Sequence, residues 1–290
     1  MLLRIARLVL LGWFITTAAA ASADEAEVIR DAWSDIYLDA AKEIVLSATI
    51  GDDPIELVEK PLMRWHNPVR RGETHGDFFV WQSNGQPVAV GTIFSYILPL
   101  GGNTRVAAMG LHPLIQEDIR YEFRNVSGTL LTANLDQFDV EIETPAASIT
   151  SVTRQLAQLR SLARTCQGWT VNDSVEQPLR LMSQPLLQTD ASSLSMDRKE
   201  VRSGLPETEI QTAALFAMVT GTDPELLILI QPKPSGQPGR SMWQITPARF
   251  SDLPISFSVN GKEVWERHVA ANPEPYVSRH RIFTLPLDPR

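Results

Sequence analysis

Apolar residues along this chain follow two rhythms. Over residues 24–47, Val28, Ala32, Ile36, Ala40 and Ile44 recur every four positions, and Trp33, Tyr37 and Ala41 widen the stripe. This predicts an amphipathic helix, opened by acids and ended by Gly51-Asp52-Asp53-Pro54. The rhythm returns over 145–166 through Val152, Leu156, Leu159 and Ala163, with Ser148 or Thr150 placed to cap a second helix. Elsewhere the pattern belongs to strands. Residues 55–65 read as extended. Residues 77–82 and 88–96 flank Ser83-Asn84-Gly85-Gln86, and Asn-Gly signals a two-residue hairpin because both central residues need positive φ. The run 88–96 is apolar on both faces, as in a strand covered on two sides. Ile119, Tyr121 and Phe123 alternate with Arg120, Glu122 and Arg124, a half-exposed strand, and 129–135 and 138–143 follow as two more. After the second helix, strands are expected at 178–188, 213–220, 225–231, 242–247, 255–259 and 264–268, with a second Asn-Gly turn at Asn260-Gly261. Residues 101–115 show no rhythm and read as loop, as does the polar stretch 190–209.

These elements predict an α+β fold of two helix-plus-antiparallel-sheet halves, residues 24–147 and 148–270, related by internal duplication. Phe79 and Phe216 each stand eight residues ahead of a proline, Pro87 and Pro224, that opens a return strand. The expectation is that residues 25–144 superpose on 148–268 as one helix on one sheet, unless the strand orders differ. Residues 271–290 form a Pro-rich C-terminal tail. Residues 1–23 read as a signal peptide: Arg4 and Arg7, an apolar run over 8–20, then Ala21-Ser22-Ala23 for cleavage. No later run is long enough to span a membrane, so an exported chain, periplasmic or extracellular, is expected.

Composition narrows the chemistry. The 290 residues are 43% hydrophobic and 21% charged, a globular balance. Arg4 and Arg7 are the only charges in residues 1–23, so removing that segment takes the net charge from −8 to −10. Such acidity argues against nucleic-acid and anionic-lipid partners. The single cysteine, Cys166, excludes an intramolecular disulfide and multi-cysteine metal sites and reads as a small buried thiol. No cofactor motif is present, and neither a phosphate-binding glycine loop nor a GxSxG elbow occurs.

The stretch 61–94 gathers the candidate chemistry. His66 and His75 flank a loop beside Glu73 and Asp77, a conceivable metal or hydrolase set, although two exposed loop histidines would look the same. Trp65, Phe78 and Trp81 with Arg64, Arg70 and Arg71 could line an aromatic, cationic pocket, or the aromatics could be core. The candidate ligand-binding residues are Trp65, His66, Asn67, Arg70, Arg71 and His75, and no catalytic residue or metal ligand is assigned. Asp136, Asp139, Glu141 and Glu143 match a solvated strand face as well as a carboxylate pair. Asn125 and Asn172 open glycosylation sequons, a pattern frequent by chance.

The same stretch resembles the hallmark segment of an uncharacterised family of exported, planctomycete-type bacterial proteins. The match rests on Arg64, Trp65, Asn67, Pro68, Arg70, Gly72, Phe79, Val80, Trp81, Gly85, Pro87, Ile93 and Phe94. A second segment resembles it through Phe216, Gly221, Thr222, Asp223, Pro224 and Glu225. The resemblance spans roughly residues 54–268 and implies export, but no activity or site. The functional expectation is therefore a non-enzymatic exported binding or envelope-associated protein. The alternative is a hydrolase or metal-dependent enzyme built on His66, His75 and Asp77.

Overall fold

A computed structural model describes residues 31–48, 53–67, 74–97, 105–115, 118–124, 126–130, 138–143, 152–172, 175–190, 212–233, 240–250, 253–267 and 281–283. The expectations for residues 1–23, Arg70, Arg71, Glu73, Asn125, Asp136 and the stretch 191–209 fall outside them.

Two helices, α1 (residues 31–42) and α2 (Val152–Thr165), stand against eighteen strands among the described residues. The first nine are β1 (Ile44–Ala48), β2 (Glu56–Asn67), β3 (Thr74–Ser83), β4 (Gln86–Ile97), β5 (Arg105–Pro113), β6 (Ile119–Phe123), β7 (Val126–Leu130), β8 (Phe138–Glu143) and β9 (Cys166–Asn172). The rest are β10 (Val175–Pro178), β11 (Arg180–Leu181), β12 (Leu187–Asp190), β13 (Thr212–Thr220), β14 (Asp223–Lys233), β15 (Arg240–Arg249), β16 (Ile255–Val259), β17 (Lys262–Arg267) and β18 (Arg281–Phe283).

The fold is mainly β, which overturns the α+β expectation. Three misread segments account for much of the error. Each helix runs almost directly into a strand with no breaker between them: α1 yields to the β-branched Ile44-Val45 after one turn residue, and α2 meets β9 at Cys166. Residues 105–113, expected as loop, form β5 in the middle of a sheet.

The expected superposition of 25–144 on 148–268, as one helix on one antiparallel sheet in each half, fails with it. The first half has a sheet β1-β6-β7 and a larger one, β2-β3-β4-β5, whose far edge is completed by β18 from the chain's end. The second has β10-β9-β16-β17 and the path β11-β13-β14-β15, with β12 also on β13, whose far edge is completed by β8 from the first half. The halves share connectivity and register. Ile44 pairs with Phe123 as Cys166 pairs with Val259. Trp81 pairs with Ala89 as Met218 pairs with Leu226, and the register shifts immediately afterwards in both hairpins. That shift is a bulge at Val88 and at Glu225, each directly after its proline, and the two carbonyls receive matching bonds from Leu114 N (2.8 Å) and Phe250 N (2.9 Å).

Packing follows from alternation along the strands. Phe78 and Val80 of β3 and Val90 of β4 meet Leu215, Ala217 and Val219 of β13 and Leu227 and Leu229 of β14, so the two large sheets share one core. Phe79, Trp81, Ala89 and Ile93 point the other way, onto α1 and the β1-β6-β7 sheet. Phe216, Met218, Leu226 and Ile228 do the same beneath α2. Each large sheet is therefore covered on both faces, and full burial of one such side chain is worth about 1.5–3 kcal/mol. Among the described residues, no helix is long and apolar enough to cross a membrane.

Candidate functional site

The outer face of the first large sheet is apolar except at one end, where α1 lies over a polar cluster. On β3 the alternation that sends Phe79 and Trp81 toward α1 also sends His75 and Asp77 there. On β4, Ser95 lies opposite His75, and on β2, His66 and Arg64 lie opposite His75 and Asp77. The helix supplies Trp33, Ser34 and Tyr37 from one buried face.

The contacts interlock. The Tyr37 hydroxyl lies 3.0 Å from His75 Nδ1, 2.7 Å from Ser95 Oγ and 3.2 Å from the His75 carbonyl oxygen. Arg105 Nη1 from β5 reaches Ser95 Oγ at 3.0 Å and His75 Nε2 at 3.2 Å. Ser95 Oγ lies 3.4 Å from His75 Nε2. A guanidinium can only donate, so Nε2 accepts and the donor count assigns the proton to Nδ1, facing the Tyr37 oxygen. Tyr37 then donates to Ser95, and Ser95 to Nε2, which closes a ring of bonds. The Trp33 ring stands edge-on to His75 with centroids 5.9 Å apart, and the Arg105 guanidinium carbon lies 5.8 Å from the Trp33 centroid.

Asp77 forms a second knot. Ser34 Oγ donates to its Oδ2, and Arg64 Nε lies 3.8 Å away while Arg64 Nη1 binds Asp31 at 2.7 Å. Burial pushes the Asp77 carboxyl above its ordinary range; the Ser34 bond and Arg64 pull it down, and Asp31 pushes it up. Burial likewise holds the Tyr37 hydroxyl well above the usual phenol range, opposed by the Ser95 bond and Arg105. Both groups favour their neutral forms more than they would in water.

The expected site residues scatter. His75 sits at the centre of the cluster, and His66 is its half-buried cross-strand neighbour, with its carbonyl accepting from Thr222 Oγ1. Trp65 lies on the opposite face, buried in the core between the sheets with Nε1 3.3 Å from Thr92 Oγ1. Asn67 shares that face, and its Nδ2 lies 3.4 Å from Asp223 Oδ2 of the second half. Asp77 and His75 share a face, but Asp77 is bound to Ser34 and His75 to Tyr37. Among the described residues, no group of three His, Cys, Asp or Glu could hold a metal.

Ser34, Tyr37, Ser95 and Arg105 had no signal in the linear sequence. For Ser95 the reason is the bulge. Counting back from the Asn84-Gly85 turn would set Phe94 opposite His75, and the one-residue shift at Val88 sets Ser95 there.

The second half offers an internal comparison. Counted back from the strand that follows each helix, Ser34 and Tyr37 correspond to Leu156 and Leu159. Counted from the bulge, Asp77 corresponds to Ala214. Leu159 and Ala214 are thus buried and apolar beneath α2, Leu156 is half-buried, and the buried Gln155 stands where the first half has Trp33. One exchange runs the other way: buried Glu225 and Arg249 stand where the first half has Val88 and Pro113. No protein-family model, curated protein or solved structure matches the chain.

Proposed function

We propose that the protein is an exported, non-enzymatic binding protein whose site is the polar cluster between α1 and the first large sheet. The observation that carries this reading is the pairing of Ser34, Tyr37 and Asp77 with Leu156, Leu159 and Ala214 in the same places of one connectivity. The fold closes with leucine and alanine there, so it does not require the polar set. A buried carboxyl that favours its neutral form weakens a fold at neutral pH, and retained groups of that kind mark sites.

Binding is favoured over catalysis because the reactive atoms are bonded inward. Ser95 is 0% exposed, and the Nε2 lone pair of His75 already receives Arg105. A nucleophile and its base need reach to a substrate, which this arrangement withholds. The members that do reach solvent are Arg64 and Asp31, with paired side chains 58% and 65% exposed, and the half-buried His66 and Arg105. Arg64 and Arg105 only donate, which suits a small ligand rich in acceptors, such as a sugar acid or a dicarboxylate, while Asp31 can accept from a ligand hydroxyl. Export rests on the signal-like residues 1–23.

The test is a thermal-shift screen of the purified chain against sugar acids, dicarboxylates and short acidic peptides, repeated on Arg64→Ala and Arg105→Gln. A stabilising ligand whose shift disappears in both variants supports the site. Shifts that persist undiminished in both place any binding elsewhere and remove this reading.

A further inference from the structure

At the rim of the cluster one ion pair, Asp31–Arg64, joins α1 to β2. We propose that the ligand is a hydroxylated monocarboxylate, a sugar acid, which sets its carboxylate on Arg64 and a neighbouring hydroxyl on Asp31. This choice rests on the binding reading above and separates the two ligand classes named there.

The Arg64 guanidinium is engaged at two of its three nitrogens. Nη1 donates to Asp31 Oδ1 at 2.7 Å, and Nε lies 3.8 Å from Asp77 Oδ2. Nη2, which carries hydrogens of its own, has no partner among the described residues. Asp31 is in the matching state: Oδ1 is taken by Arg64, and Oδ2 has no partner among the described residues. An open donor and an open acceptor therefore flank a single bond, on two side chains that face solvent. His66, half-buried, stands two residues along the same face of β2.

A ligand carboxylate can accept from Nη2 and leave the Arg64–Asp31 bond in place. Whatever the ligand carries next to that carboxylate then meets Asp31. A hydroxyl there donates to Oδ2 and makes a charge-assisted bond. A second carboxylate has no hydrogen to donate and meets Asp31 as like charge against like, with Asp77 also close to Arg64. The chain's net charge of −8 adds to the repulsion of a dianion. A hydrocarbon tail makes no bond to Oδ2 at all. Donor and acceptor side by side thus favour one negative charge with hydroxyls around it.

The test is isothermal titration of the full chain in about 20 mM salt, where exposed charges are weakly screened. The probes are D-gluconate and D-galacturonate as sugar acids, hexanoate as a monocarboxylate without hydroxyls, and succinate as a dicarboxylate. At least one sugar acid is expected to bind about three- to tenfold more tightly than hexanoate and succinate, the scale of one solvent-screened, charge-assisted bond. In Asp31→Ala that preference disappears. Hexanoate and succinate bind this variant at least as well as wild type, because Arg64 has lost a competing carboxylate. Asp31 is exposed, so its truncation leaves no buried group behind. Hexanoate or succinate binding as tightly as both sugar acids overturns the choice and leaves the binding reading standing. A sugar-acid preference that survives Asp31→Ala does the same. Failure of all four probes to bind also overturns it, and the binding reading falls as well only when the wider screen is blank.

Discussion

Asp77 and Ala214 occupy one position in two sheets, each four residues ahead of a bulge that follows Trp81 in the first and Met218 in the second. The alanine packs beneath α2 without a polar partner, whereas the aspartate binds Ser34 and Arg64. Because burial raises the Asp77 carboxyl, its protonated form fits the fold better. Its stabilising contribution is full below the unfolded carboxyl value and is lost as pH rises through the folded one. Asp77→Asn, which keeps an acceptor for Ser34, is expected to raise Tm at neutral pH. The gap to wild type should close in acid. Calorimetry at both pH values checks it, and a lower Tm for the variant at neutral pH would show that the Ser34 and Arg64 contacts outweigh burial.

Gly76, between His75 and Asp77, has Trp65 opposite on one side and Phe94 on the other, and their rings meet with centroids 5.8 Å apart. A Cβ there would stand 2.5 Å from Phe94 Cβ and 2.7 Å from the Ile93 carbonyl oxygen. Gly76→Ala is expected to lower stability by about 1–3 kcal/mol, the range for overpacking a filled site. A wild-type urea midpoint would mean that β4 moves aside more easily than a doubly covered strand should.

Cys166 begins β9 beneath α2, and burial pushes its thiol up to about 12, the Thr165 bond pulling slightly the other way. A thiol that stays protonated and covered does not attack. A chromogenic disulfide reagent should leave the native chain unmodified at neutral pH and label one thiol per chain in urea. Rapid native labelling would refute this burial.

Glu43 follows α1 and receives Arg124 Nε at 2.6 Å, which holds its carboxyl below the ordinary value. The pair's contribution is present above the unfolded carboxyl value and fades as pH falls through the folded one. Both side chains are nearly half exposed, so solvent screens them. Glu43→Gln should cost no more than about 0.2–1 kcal/mol, and high salt should erase the difference.

Turn chemistry was legible in the sequence where long-range geometry was not. Asn84-Gly85 and Asn260-Gly261 both take positive φ at the ends of paired strands, as the dipeptides require. β5 was not legible: Arg-Val-Ala-Ala-Met-Gly-Leu is buried on both faces, so it lacks alternation and carries few β-branched residues. β1 hid in the helical run before it because no glycine or proline marks the change, whereas β9 starts where the second run ends, in a stretch for which no strand is expected before residue 178. At the site, His75 and Asp77 stood out as chemistry. Their partners come from one helix and three other strands, and only pairing register brings those together. Trp65, an aromatic beside His66, was drawn into the site by proximity in sequence, although neighbours on a strand face opposite ways.

The crossed edge strands have a consequence in time. Synthesis makes the first half first, yet the strand that closes its large sheet, β18, lies among the last residues of the chain. β8, which is made early, belongs on β15 and must wait for it. The outer edge of β5 therefore stays open until Arg281–Phe283 have been made, whatever the speed of the local hairpins. A stop codon just before residue 281 would leave the oldest part of the protein unfinished, and the damage from a late truncation would appear at the opposite end of the sequence.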